Sequence, residues 1–431
     1  PTISGAGEPG AKIAVTMPTG EILTTTVGPD GKWTVTPTVD LPDGKADITV
    51  KATDDAGNAT TVTVPITVDT TPPALKAVLD PASDSGTKGD GITSDKTPTI
   101  SGTGEPGAQI EVTVPSTGEK LTTTVGSDGT WSVTPKSDLP EGKTDISVKE
   151  TDPAGNSSTV TVPVTIDTTV PNAGAAPKVD ITEDANNDGF INKAELVGQV
   201  DVKVTFDPTK VSLGDVVKVT SGGVTKDVAV TAGDLSNGYV TTSFAPAAEG
   251  VTQVVTAVIV DAAGNQSGTG ADSAKLDLSS LDGIAIKITE DADNDGFINK
   301  AELQGTVGVE VTLPATAVAG DLLTLKASGN ADQSIVLTQA QIDAGKVVIE
   351  LPAPASGATL VVTAQVTDPA GNKSAEVSDS AKLDTVAPDL TAQLDPTSDS
   401  GTKGDGITSD KTPTISGTGE PGAKIEVTVP S

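Results

Sequence analysis

The chain has 431 residues, too long for one ordinary domain and enough for about three to five modules of roughly 100 residues each. Lys and Arg number 27 against 59 Asp and Glu, a formal charge of -32, which excludes the basic footprint that nucleic acid needs and suits a chain that holds divalent cations. There is no Cys and no His, so disulfides, Cys/His zinc sites and nucleophilic triads built on those residues are all excluded.

No apolar run approaches the about 18 residues of a membrane span, and no signal peptide stands at the N-terminus. The sequence opens at Pro1 without Met and stops at Ser431 inside a recurring phrase, and so reads as a piece of a longer protein.

That phrase, PTISGAGEPGAKI at Pro1, returns as PTISGTGEPGAQI at Pro98 and PTISGTGEPGAKI at Pro413. The first two copies stand about one β-sandwich module apart. The segment from Leu79 to Ser116 comes back almost letter for letter from Leu394 to Ser431, as in a tandem array. Apolar residues alternate with period two at Ile110, Val112 and Val114 and again at Leu121, Thr123 and Val125. The turn Gly126-Ser127-Asp128-Gly129 into Trp131-Ser132-Val133 reads as a hairpin. Ile146 and Val148, the turn Asp152-Pro153-Ala154-Gly155-Asn156, and Val160 to Ile166 complete about seven short strands. The fold class is therefore all-β, a tandem array of immunoglobulin-like antiparallel β-sandwiches, without the Cys-Trp-Cys hallmark of antibody domains.

Aromatic residues make up only 2% of the chain, so each module is expected to bury a limited core and to be modestly stable alone. Trp33 and Trp131 stand at equivalent places in alternating strands and are expected to anchor cores rather than to serve as carbohydrate platforms. Helix is expected only as single turns after the loops described next, and at Thr338 to Asp343.

Asp184 to Glu195, DANNDGFINKAE, and Asp291 to Glu302, DADNDGFINKAE, fit the twelve-residue calcium loop at every keyed position. In the first, the ligands expected are Asp184, Asn186, Asp188, the Phe190 carbonyl, Asn192 and Glu195, with Gly189 at the bend. In the second they are Asp291, Asp293, Asp295, the Phe297 carbonyl, Asn299 and Glu302, with Gly296 at the bend. Calcium takes about six to eight oxygens, which this alternation of inward side chains and a closing bidentate carboxylate supplies. A solvated acidic turn would use the same residue types, but not the same keyed positions twice. The flanks, Val179-Asp180-Ile181-Thr182 and Ile284 to Thr289, are β-like, so each loop is set into β structure as a structural clamp.

A second set of acids lies at the module ends. The F–G-type turn recurs as Asp54 to Asn58, Asp152 to Asn156, Asp261 to Asn265 and Asp368 to Asn372, and the linkers carry Asp69, Asp167 and Asp384. An acidic loop runs from Asp80 to Ile92 and returns from Asp395 to Ile407. Calcium-binding loops are expected at module junctions, drawing on Asp80, Asp84 and Asp90 and on Asp395, Asp399 and Asp405, with help from linker and turn aspartates. The alternative is that Asp-Gly and Asp-Pro-Ala-Gly-Asn are simply good turns. The modules divide at 1–72, 73–171, 172–281, 282–388 and 389–431, the first and last truncated.

SDSGTKGDGITSDKTPTISGTGEPGA, DGTWSVTP, TDPAGNSS, the linker pattern around Asp-Thr-Thr, and ITEDANNDGFINKAEL together resemble the bacterial Ig-like repeats of giant secreted, biofilm-associated adhesins. The resemblance implies type I secretion, an extracellular place at the bacterial cell surface, and a rod stiffened by Ca2+ at its junctions. Such a rod holds a distal binding region for cell adhesion and biofilm formation. Its partners would be calcium ions and neighbouring repeats of the same chain, with other adhesin chains or host surfaces met through regions outside this stretch. The competing reading is that the repeats themselves bind glycans or host or neighbour-cell proteins, which would call for an exposed aromatic or sharply differing loops. An enzyme is not expected, because the acids recur in every module as scaffold features do.

Overall fold

The structure, a computed structural model, describes Pro1–Pro430. The chain forms two compact units, one of Pro1–Asp180, Lys203–Thr242 and Val255–Asp272, the other of Ile181–Val202, Ser243–Val254 and Ser273–Ser431. Among the described residues no helix is long and apolar enough to cross a membrane.

In the first unit the clearest sandwich spans the second module. One sheet runs in the order Glu119–Thr124, Gln109–Val114, Gly142–Thr151, Ser157–Ile166 and Ile92–Thr93; the other in the order Thr130–Val133, Ile100–Thr103 and Lys76–Leu79. Alternation drives this arrangement, since Ile110, Val112 and Val114 are buried while Gln109 between turn and core is exposed. Ile146, Val148, Val162, Val164 and Ile166 come from the long F–G hairpin and meet Leu79, Ile100 and Trp131 from the facing sheet. The expected hairpin at Gly126 to Gly129 is not one: Glu119–Thr124 pairs with Gln109–Val114, whereas Thr130–Val133 pairs with Ile100–Thr103. The chain changes sheet at that turn, because Trp131 has its place opposite Gly102, with the indole over the glycine. A Cβ at Gly102 would come within 2.9 Å of the indole and 1.9 Å of the Lys76 carbonyl, so the residue must lack one. Trp33 and Trp131 are both buried, as core anchors should be.

In the same unit the first module pairs Ile3–Ala6 with Lys32–Val35, and sets Ile22–Thr26, Lys12–Thr16, Gly44–Thr53 and Ala59–Val68 in the facing sheet. Val216–Ser221 pairs with Val224–Ala229 and, on its other side, with residues 255–260. A short helix not foreseen from the sequence, Ala232–Asn237, is closed by a capping box between Thr231 and Asp234.

The second unit contains the fourth module, with sheets in the order Ala285–Ile288, Thr306–Thr312, Lys346–Pro352, and Phe297–Asn299, Val377–Asp384, Thr359–Thr367, Leu322–Ala327, Gln333–Val336. Its core is aliphatic, built on Ile298, Val307, Val309, Leu323, Leu360 and Val362. The helix expected near Thr338 spans Gln339–Ala344, with Thr338 and Gln341 forming its capping box. Each twelve-residue loop closes with a single helical turn, Leu196 N–H to the Asn192 carbonyl at 3.0 Å and Leu303 N–H to the Asn299 carbonyl at 3.1 Å.

Candidate metal centres

Each twelve-residue loop enters from one sheet and leaves through a short strand that joins the other. Phe190–Asn192 pairs in parallel with Lys275 to Asp277, and Phe297–Asn299 with Lys382 to Asp384, so both loops end beside an outgoing linker aspartate. Asp184 is buried, and its carboxylate accepts the backbone N–H groups of Asp188 and Gly189, both at 3.0 Å. Asp291 does the same for Asp295 at 2.9 Å and Gly296 at 3.0 Å. The bend needs left-handed backbone, and Gly189 and Gly296 both adopt φ 85°, preceded by Asn187 and Asn294 at φ 56°. Asp188 and Asp295 accept the N–H of Phe190 and Phe297. Glu195 accepts the Asn192 N–H at 3.0 Å while Asn192 accepts the Glu195 N–H at 3.1 Å, a capping box repeated by Asn299 and Glu302.

The loops differ at position three, the second of the keyed places. Asp291, Asp293 and Asp295 bring carboxylate oxygens within 4.8 Å of one another, an arrangement of like charge that a divalent cation relieves. In the first loop Asn186 instead donates its side-chain N–H to Asp188 at 2.9 Å. The donor sets and the backbone bend of both loops fit calcium.

At the entry to each complete module, acids from three segments meet: the linker, the F–G turn and, in place of the acidic loop expected there, a third segment. The F–G turn folds back on the linker that enters its own sandwich. Asn156 donates to the Asp69 carbonyl at 3.0 Å, Asn265 to that of Asp167 at 2.9 Å, and Asn372 to that of Asp277 at 2.8 Å. Each asparagine also bonds the aspartate of its own turn, Asp152, Asp261 or Asp368. The third acid, unrecognised in the sequence, lies just before the following strand: Glu105, Asp215 or Asp321. Asp69, Glu105 and Asp152 hold carboxylate oxygens within 4.8 Å of one another. Glu150, fully buried, adds an oxygen without a partner there, its other one accepting the Glu105 N–H at 2.6 Å.

Asp321 is also fully buried, with one oxygen accepting the Val318 N–H at 2.9 Å and the other unpartnered. Burial pushes its carboxyl up, and the charges of Asp368 and Asp277 push it further. Asp215 is raised likewise by burial, with Asp261 and Asp167 adding to it, and Glu105 by burial and then by Asp152, Asp69 and Glu150. A buried anion without a counter-ion is what a cation site presents before it fills. A register of the modules against one another would have found these residues, since Glu8, Glu105 and the Gly-Asp pairs at 214–215 and 320–321 all precede the same strand.

Asp80, Asp84 and Asp90, and likewise Asp395, Asp399 and Asp405, are instead bonded within their own loops. Asp80 caps the Ala82 N–H at 2.9 Å and Asp90 that of Ile92 at 2.8 Å, while buried Asp84 accepts the Gly89 N–H at 2.6 Å. Lys88 reaches the Pro81 carbonyl at 3.1 Å, so a lysine ammonium lies inside this loop. The copy repeats these bonds through Thr397, Ile407, Gly404 and Lys403. Asp84 and Asp399 each retain one buried oxygen without a partner. The loop runs to the far end of its sandwich, where Ile92–Thr93 pairs in parallel with Thr165 and Ile166. There it bonds the next F–G turn, Thr87 N–H to the Ala262 carbonyl at 3.0 Å and the Ser85 hydroxyl to that of Ala263 at 2.5 Å. The acidic loop and the calcium loop thus fill the same structural place in different modules.

Residues 1–70, 71–168 and 386–431 match the bacterial Ig-like domain, and residues 184–198 and 291–307 match the EF hand. Among solved structures the chain is similar to a Ca2+-stabilized adhesin with which an Antarctic bacterium reaches out and binds ice, at 25% identity over 89% of this chain and 94% of that one, TM-score 0.31. It is similar to a tetra-tandem repeat in the extending region of a large adhesion protein, at 22% identity over 89% and 95%, TM-score 0.32. A 1.5-MDa bacterial ice-binding adhesin, studied for host cell surface retention, matches at 22% identity over 74% and 100%, TM-score 0.27. A comparison with curated proteins finds no match. The chain is a tandem array of β-sandwiches in which segments that match the bacterial Ig-like domain precede and follow, in sequence, two sandwiches whose loops match the EF hand.

Proposed function

We propose that this chain is an extender of a bacterial surface adhesin, a spacer whose joints are stiffened by calcium so that a distal binding region is held away from the cell. The observation that carries this is the recurrence, at each entry linker, of an asparagine that ties the linker to the F–G turn acid, beside a buried pre-strand acid such as Asp321, one of whose oxygens has no partner. Calcium at such a place joins three chain segments and removes hinge freedom, which is otherwise the default for small interfaces between domains. In the twelve-residue loops the ion would be held by Asp184, Asn186, Asp188, the Phe190 carbonyl and Glu195, and by Asp291, Asp293, Asp295, the Phe297 carbonyl and Glu302. At the joints it would be held by Asp69, Glu105, Glu150 and Asp152, by Asp167, Asp215 and Asp261, and by Asp277, Asp321 and Asp368.

Extracellular modules bind calcium at about 10⁻⁴ to 10⁻³ M, so these places fill outside the cell, where the ion is abundant. A chain of charge -32 is then flexible before export and stiff after it. Small-angle scattering with calcium and then with excess EDTA, paired with thermal melting, tests this. The expected result is a maximum dimension that falls on chelation together with a lower melting temperature. An unchanged profile and melt would leave the acids as turn formers only.

A further inference from the structure

We propose that the first calcium loop, Asp184 to Glu195, is also the docking surface for the F–G turn of the following sandwich, so that calcium in the loop and calcium at Asp277, Asp321 and Asp368 bind cooperatively through Asn372. This rests on the calcium reading above and adds a physical connection between two of its sites.

The contact uses loop positions nine and ten. Asn192, buried, donates its side-chain N–H to the Ala370 carbonyl at 2.9 Å, and the Lys193 backbone N–H donates to the Asn372 side-chain oxygen at 2.9 Å. Asn372 is itself buried, and its amide nitrogen donates to the Asp368 carboxylate at 2.9 Å and the Asp277 carbonyl at 2.8 Å. One asparagine thus accepts from the calcium loop and holds two of the three junction acids. On the loop side, Asn192 is tied to the closing carboxylate, because its own N–H is bonded by Glu195. The path from Glu195 to Asp368 is therefore continuous: Glu195 to Asn192, Lys193 to Asn372, Asn372 to Asp368.

Position nine is consequently an interface residue in this copy. Both polar atoms of its side chain are used, the oxygen by the Ala194 and Glu195 N–H groups and the nitrogen by Ala370. The other module ends support the assignment by contrast. Where the acidic loop with Lys88 takes the same place, it bonds the main-chain carbonyls of Ala262 and Ala263. Glu302 of the second loop bonds Asn299 and not Asn192, so a substitution at Glu302 leaves the path from Glu195 to Asn372 intact.

An ion that draws Glu195 inward fixes the turn holding Asn192 and Lys193, and with it the position of Asn372. A junction whose asparagine is already placed binds its ion with less ordering to do, and linkage requires the reverse effect to be equal. The test is amide hydrogen exchange of the full chain across a calcium titration, read in the segments 184–195 and 368–374, for the unaltered protein, Glu195→Gln, Asp321→Asn and Glu302→Gln. In Glu195→Gln the calcium midpoint for protection of 368–374 is expected to rise by about fivefold or more, and Asp321→Asn to raise that of 184–195 by the same factor. Glu302→Gln, which disables only the second loop, is expected to change neither. Equal midpoints in all four proteins would overturn the coupling while leaving calcium binding intact. A chain in which neither segment responds to calcium would overturn the coupling and the spacer reading together.

Discussion

A single amide decides how the two calcium loops differ. Asn186 stands where the second loop has Asp293, and its N–H group is bonded to Asp188. The first loop therefore offers one carboxylate fewer and must break that bond to turn an oxygen inward. Affinity in such loops follows ligand charge. The second loop is expected to fill at lower calcium than the first; Asn186→Asp should bring the first loop toward it, and Asp293→Asn should weaken the second by about tenfold, an energy of about 1.4 kcal/mol. Calorimetric titration of the two variants checks this, and an order of filling that ignores the substitutions would refute it.

Among the elements, the strand Lys76–Leu79 shows how tightly sheet pairing constrains the repeated phrase. Its register against Ile100–Thr103 places Ala77 opposite Gly102, and the Trp131 ring lies over the same glycine from the other side. No side chain fits between a backbone carbonyl and an indole. Gly102→Ala is expected to part the two strands and to destabilise the second sandwich by about 1–3 kcal/mol, as overpacking of a filled core does. Thermal or urea unfolding would register it, with Gly107→Ala as a contrasting site where a Cβ meets nothing within 4 Å but φ is +88°, so that only backbone strain acts. The same crowding accounts for the change of sheet at Gly126 to Gly129. Period-two alternation there is satisfied by a hairpin or by a crossover, and the choice falls to the partner that leaves room for Trp131.

For the molecule as a whole, the balance of raised and lowered carboxyls sets the pH response. Glu105, Asp215, Asp261 and Asp321 are raised by burial first and then by the charge of neighbouring carboxylates at the same junction. A raised carboxyl binds its proton more readily in the folded state, so its stabilisation is present below the unfolded value, about 3.9–4.3, and is lost as pH rises through the folded one. Without calcium, melting temperature is therefore expected to rise as pH falls from neutrality towards the ordinary carboxylate range. Below that range Asp54, Asp80, Asp128 and Glu310, held low chiefly by hydrogen bonds from Asn58, Ala82, Thr130 and Lys346, lose their contribution and stability falls again. With calcium present, protons compete for the same oxygens, and the gap between the calcium and EDTA melts should narrow on acidification. Melting curves in both conditions across that range decide the point; a gap that widens toward acid would contradict it.

Much of this was legible in the residues alone. Period-two alternation makes strands because side chains of an extended backbone point to opposite faces, so Ile110, Val112 and Val114 declare a buried face without reference to anything distant. The twelve-residue loops are legible for the same reason: all the ligands proposed for them lie within twelve consecutive residues, and local spacing is local geometry. The junction acids are not of that kind. Glu105, Asp215 and Asp321 meet their partners only because the F–G turn folds back on the entering linker, and the loop of Asp80, Asp84 and Asp90 does not join them because it runs to the other end of the sandwich. Contacts between segments far apart in the chain depend on which strands pair, and that is decided by packing across the whole sandwich rather than by any stretch of sequence within it.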